Sequence, residues 1–230
     1  DKQRLFIIGT SSTAVHLYQF VQEYELFDIQ GFAVDRDYLT DSQFLGLPVY
    51  AIEELSQVVD KDNDLLYVAI MWNHLNGDRR RMYERLKALG FHFANVISPT
   101  AKVRGTLQGD NCWLHDYVIV QDHAVIGADT MIMAFSLIGS YVTMGPHCFC
   151  AAKSTIGGKC SIGEQCFIGI GSTVFDERVV GNKCVVGAGV NLNRSLPDFS
   201  VSKMAPASFV SKQYEEDVIE TKLMFSKNVK

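Results

Sequence analysis

CWLHDYVIVQDHAVIGADTMIMAFSLIGSYVTMGPHCFCAAKSTIGGKCSIGEQCFIGIGSTVFDERVVGNKCVVGAGVNLN, residues 112–193, repeats every six residues. Every position whose number is a multiple of six is apolar, from Leu114, Val120 and Ile126 through Cys150 to Val186 and Leu192. The 14 such positions would all be apolar by chance about 2–3 times in 10⁵ at average composition. Gly follows the apolar residue at Gly127, Gly139, Gly145, Gly157, Gly163, Gly169, Gly181 and Gly187, and Ala at Ala151. Four places after it stands a small residue, as at Ala124, Ser136, Cys148, Ser154 and Ser172; Arg178 alone breaks that column.

An unbroken hexapeptide phase is the signature of a parallel β-helix. Each hexapeptide supplies one short strand and a corner, and three make one triangular coil of 18 residues. The aliphatic residue fills the interior and the small one fits beside it at the corner. A single coil cannot bury its own interior, so stability comes from stacking neighbours.

The same register accounts for the cysteines. Cys112, Cys148, Cys160, Cys166 and Cys184 occupy the small column and Cys150 the aliphatic one, so they read as small buried hydrophobes. The Cys148-Phe149-Cys150 spacing does not suit a zinc site, and no metal is expected.

Upstream, strands and helices alternate, the pattern of a small parallel α/β sheet. Residues 4–8 read as a strand, stopped by Gly9-Thr10-Ser11-Ser12 before a helix from about Thr13 to Tyr24. A strand, a Gly turn and a helix N-terminus form an anion-friendly junction. A second strand, Gln30 to Val34, leads to Asp35, where such folds meet a ribose. A loop with Gly46-Leu47-Pro48-Val49 and a short helix follow; residues 65–70 form a third strand, 78–88 a helix and 91–97 a fourth strand. Arg79, Arg80 and Arg81 read as the solvated face of that helix. Pro99 marks the boundary, giving domains 1–96, 97–194 and a C-terminal loop and helix over 195–230.

A net charge of −5 argues against a nucleic-acid partner, whose phosphates call for a basic footprint. No apolar run approaches membrane-spanning length and the first residues lack a signal-peptide layout, so a cytoplasmic location is expected.

A small α/β domain followed by a hexapeptide β-helix resembles the bacterial acyl-CoA-dependent acyltransferases of nucleotide-linked amino sugars and of sialic acid. The likeness spans about residues 4–209: the strand before Gly9, Asp35, the Gly-Leu-Pro-Val turn, Ala69-Ile70 with Asn73, Ile97-x-Pro99-x-Ala101-x-Val103, and Ala205-Pro206-Ala207. The resemblance implies a Rossmann-like domain joined to a left-handed parallel β-helix, in a homotrimer with active sites between neighbouring β-helices. It implies a nucleotide sugar near Gly9, Thr10, Ser11, Asp35 and Asn73. Acetyl-CoA or another acyl-CoA would lie along the coils near Gly169 and Gly187, its adenine end near Ala205 and Pro206.

The sequence departs from this family where its chemistry is concentrated. Ser140 stands where the family's catalytic histidine is expected, Phe149 aligns with a second family histidine, and Met71-Trp72 replaces a glycine before Asn73. Ser140 should stack over Asp122 and Tyr141 over His123, about 4.8 Å apart. His123 is therefore the first substitute base, with Asp122 orienting it, then His147, then His115. General-base catalysis contributes about 10²–10⁴-fold, which a sugar hydroxyl needs more than a sugar amine. N-acylation for surface polysaccharide is the expected reaction; O-acetylation, or a β-helical binding protein without transferase activity, are the alternatives.

Overall fold

The computed structural model describes residues 2–204; Ala205, Pro206 and the expected C-terminal helix lie outside the described residues. The N-terminal unit is β1 (Arg4–Ile8), α1 (Ser12–Glu23), β2 (Asp28–Val34), β3 (Gln43–Phe44), β4 (Leu47–Ala51), α2 (Leu55–Val58), β5 (Leu65–Val68) and α3 (Gly77–Ala88). Its sheet runs β3-β4-β2-β1-β5, parallel except for β3 against β4. Leu47–Ala51, read from the sequence as loop, is a strand pairing parallel with β2. Gly31 permits it: a Cβ there would lie 2.7 Å from the Pro48 carbonyl oxygen.

The expected fourth strand over 91–97 does not form as one element. Phe93 makes a single parallel bridge to Leu66, while Val96–Ile97 pairs with Trp113–Leu114 and opens the β-helix. The chain thus passes from one domain to the other inside that stretch.

From Val96 the strands stack into three parallel sheets, the faces of a left-handed β-helix. One face, seven strands from Val96–Ile97 to Val201–Ser202, receives the N-terminal domain and is called the docking face here. The second runs from Lys102–Val103 to Asn191–Leu192 and the third from Thr106–Gln108 to Val179–Val180. Within the repeat each strand pairs with one 18 residues on, as Ile119 with Leu137 and Leu137 with Thr155. Ile97 and Val103 pair 17 residues ahead, with Leu114 and Val120, which is the phase shift visible in the sequence. After Ser195 the repeat was expected to dissolve, yet Val201–Ser202 adds one more strand beside Val185–Val186.

All 14 aliphatic-column side chains are buried and form one core with the small column. The thiols of that column serve a second purpose: those of Cys148, Cys166 and Cys184 donate to the carbonyls of Gly163, Gly181 and Pro197 at 3.1–3.2 Å. All six cysteines are free, and burial pushes the Cys112 and Cys150 thiols up to about 12. Arg178 escapes the interior by turning its Nε to the Asp176 carbonyl.

Docking is apolar at its centre. Leu17, Phe20 and Val21 of α1, with Tyr67 of β5, bury against Trp113, Met131 and Phe149 of the docking face. At one edge it is ionic, and here the reading of the arginine run is corrected. Arg79 is fully buried, with Nε 3.1 Å from Asp129 Oδ1. Arg80 pairs with Glu164, and Arg81 with Asp78. A helix resting on another domain has two covered sides, and sequence periodicity cannot separate the second from solvent.

Candidate functional site

Two cavities lie where the domains meet. The first, about 710 Å³, opens above the carboxyl ends of β1 and β5 and the start of α1. Gly9, Ser11, Asn73 and Asp78 give it polar walls. Gly9 has φ +116° and its Cβ position faces the Ala69 carbonyl at 3.3 Å, so glycine is required at this turn. Ser11 caps α1 without a side-chain bond, leaving the helix N-terminal N–H groups available to an anionic ligand. Thr10 and Asp35 line a smaller adjoining cavity of about 270 Å³ that shares Gly9 and Ser11. The Asp35 carboxylate pairs with Arg85. All five residues expected to hold a nucleotide sugar thus surround one continuous region.

The second cavity, about 520 Å³, is an apolar groove along the docking face and its corner with the second face. Met133, Phe149, Ala152, Phe167 and Ile170 line it, and it reaches Gly169 and Ala188. Gly169 and Gly187 stack one coil apart; a Cβ on Gly169 would meet Ala188 N at 2.5 Å and Gly187 C at 2.6 Å. The two cavities share His16, Met71 and Trp72. Trp72 rests edge-on against Phe149, centroids 5.0 Å apart, and remains 46% exposed, so it walls both spaces without filling either.

The expected catalytic residues are separated. Asp122, His123 and Ser140 occupy the corner between the second and third faces, stacked as their spacing implied. The His123 and Tyr141 rings lie 4.6 Å apart at 20°, Asp122 pairs with Arg104 at 3.3 Å, and Ser140 Oγ donates to Gln121 Oε1 at 3.2 Å. Ser140 lines its own cavity of about 430 Å³ with Lys159, Asp176 and Glu177. His147 is buried under α3, donating through Nδ1 to Asp129 at 2.7 Å, and lines neither of the joined cavities.

The histidines that do meet at the joined cavities are His16 and His115, Nε2 to Nε2 at 3.0 Å. Asp116 lies beside them, its carboxylate accepting from Tyr24 at 2.8 Å and from Ser98. Burial opposes ionisation of Asp116, but the Ser98 and Tyr24 hydroxyls hold its carboxyl below the usual range. Desolvation pulls both imidazoles below their ordinary pKa, partly countered by Asp116. His16 was missed in the sequence, although it stands at helical spacing between inward-facing Thr13 and Phe20, a polar residue on a buried stripe. His115 stands where later hexapeptides carry Gly.

A stability consequence follows from these two imidazoles. Their folded pKa values lie below the unfolded one, so the unfolded chain binds more protons as pH falls through about 6.5. Their contribution is complete above that value and is lost below it. The thermal midpoint should therefore drop more between pH 7.5 and 5.5 in the wild-type protein than in a His16→Gln/His115→Gln double variant. Equal drops would exclude the coupling.

Among the described residues no helix is long and apolar enough to cross a membrane, and no group of three or more His, Cys, Asp or Glu side chains is arranged to hold a metal ion. No family model and no curated protein matches the sequence. Solved structures do. A histidine-to-asparagine variant of perosamine N-acetyltransferase from Caulobacter crescentus, in complex with CoA and GDP-perosamine, is 25% identical with TM-score 0.77, over 90% of this chain and 97% of that one. The acetyltransferase domain of PglB from Neisseria gonorrhoeae, in complex with acetyl coenzyme A, is 20% identical with TM-score 0.75, over 87% and 96%. WeeI from Acinetobacter baumannii is 18% identical with TM-score 0.73, over 86% and 94%. The last two establish the shared fold. The likeness drawn from the hexapeptide register therefore extends to both domains and to nearly the whole of each compared chain.

Proposed function

We propose that this chain, built on the two-domain plan of the nucleotide-sugar acetyltransferases, moves an acyl group from acyl-CoA to the amine of a nucleotide-linked amino sugar. One observation carries the reading: a polar cavity at a strand–glycine–helix junction opens directly onto an apolar groove, across the shared wall of His16, Met71 and Trp72. The nucleotide sits at Gly9, Thr10, Ser11, Asp35 and Asn73. The acyl-bearing arm of CoA, acetyl-CoA in the simplest case, follows the groove past Gly169 to Gly187, with Ala205 and Pro206 beyond it. The amine attacks the thioester carbonyl, a C–N bond forms, the C–S bond breaks and CoA leaves as the thiol once a proton is returned. The bound Caulobacter relative, holding CoA and GDP-perosamine together, supports this pairing of ligands.

Asp122, His123 and Ser140 enter such a reaction only from a neighbouring chain. The reading accordingly includes a homotrimer, which also covers the exposed apolar side chains of Ile119, Phe135 and Val179 on the β-helix. Cytoplasmic residence follows from the substrates it names.

Titration calorimetry with acetyl-CoA and CoA tests the reading first. Saturable binding at about one site per chain, followed by thiol release with a nucleotide-linked amino sugar, is expected. No heat at millimolar ligand would remove acetyl transfer. It would favour a β-helical binding protein, for which the substitution of Ser140 for histidine is the motivating observation.

A further inference from the structure

We propose that the base for acyl transfer is supplied by the same chain that forms the two cavities, as the His16–His115 pair; the inference rests on the acyltransferase reading above. His16 lies on both cavity walls and His115 on the groove wall, so the pair stands where a sugar amine from one side meets a thioester from the other.

The hydrogen bonding fixes where the protons are. His115 Nδ1 accepts the Asp116 backbone N–H at 2.8 Å, so the neutral ring carries its proton on Nε2. That proton points at His16 Nε2, 3.0 Å away, which must accept it, leaving the His16 proton on Nδ1. In this resting arrangement no ring nitrogen of the pair offers a free lone pair. An amine entering from the polar cavity takes the place of His115 as the partner of His16 Nε2. Two functions appear together: His16 Nε2 becomes a base, and the freed His115 Nε2–H becomes a donor for the thioester oxygen.

The step balances. As nitrogen bonds to the acyl carbon, its proton passes to His16 Nε2. The negative charge on the carbonyl oxygen is held by His115 Nε2–H. Collapse of the intermediate breaks C–S, and the thiolate takes the proton from His16. Asp116, with Oδ2 3.6 Å from His115 Nδ1, lies close enough to stabilise the imidazolium formed in passing. The pair is also rigidly seated. The His115 ring lies 4.7 Å from Phe20 and 5.5 Å from Trp113, and His16 4.9 Å from Trp113.

The test compares steady-state transfer and acetyl-CoA binding in wild type, His16→Gln, His115→Gln and His123→Ala. A base loss lowers kcat by about 10²-fold, and loss of the oxyanion donor by a similar factor. Acetyl-CoA affinity should stay within about threefold in both dyad variants, since neither ring is assigned to its binding. Wild-type kcat/KM should decline on the acid side below pH 6.5, and His16→Gln should lose that limb. A purely structural pair would instead lower the thermal midpoint and move affinity with rate. Unchanged kcat in both dyad variants, or loss confined to His123→Ala, would overturn the assignment while sparing the acyltransferase reading. Absence of binding and transfer in the wild type would overturn both.

Discussion

Replacing Arg79 by Met should cost the folded chain about 3–5 kcal/mol, the effect of stranding one partner of a buried ion pair. Arg79 and Asp129 are both wholly buried, and the guanidinium also donates to the carbonyls of Asp129 and Cys148 at 3.0 Å and of Met71 at 3.3 Å. Asp129 accepts further bonds from Asn111 and His147, each at 2.7 Å. Without the arginine a buried carboxylate and three carbonyls lose a donor in a low-dielectric junction. Adding Asp129→Asn removes the stranded charge. Asparagine suits that corner, because Asp129 has φ 54°. The double variant should therefore lose less than the two single losses summed. Urea denaturation of the four proteins measures this; strict additivity would show that the pair is not coupled. Because Met71 walls both cavities, ligand affinity should weaken in Arg79→Met even under conditions where it remains folded.

The largest functional effect is expected from Ala152→Trp. Ala152 lines the apolar groove between Phe149 and Ile170, and is partly buried against the docking core. An indole there fills space that a pantetheine arm needs, because such sites bury most of the ligand surface. Acetyl-CoA affinity should fall at least about 100-fold, or roughly 2.7 kcal/mol. The nucleotide-sugar cavity, which Ala152 does not line, should keep its ligand. Calorimetry with each ligand separately distinguishes the outcomes. Undiminished acetyl-CoA binding would mean that the groove is not its seat.

What the sequence revealed followed from how far each interaction reaches along the chain. Ile126, Ile138 and Val174 declare the β-helix because every interior side chain obeys one local period. The same period placed Tyr141 over His123. Gly9 and Asp35 were legible as cavity residues because a strand–turn–helix junction is also local. Arg79 looked solvated because its partner, Asp129, is 50 residues away on another domain. His16 was overlooked for the same reason, its partner His115 lying 99 residues on. The strand Leu47–Ala51 was hidden by Pro48, whose fit depends on Gly31 of a neighbouring strand. Sites made between domains leave single, unperiodic marks in each contributing segment.

The strict 18-residue pairing makes the β-helix a ruler with coarse graduations. Loss or gain of one whole turn returns every later strand to its own face and changes the groove length by one strand spacing, about 4.8 Å. Loss of six residues turns all later strands by a third of a revolution, carrying Gly169 and Ile170 away from the wall that holds Trp72. Length variation inside this domain is therefore tolerable only in whole turns. The span offered to a bound arm changes in discrete steps, whereas the corners, which set no register, are free to vary by substitution.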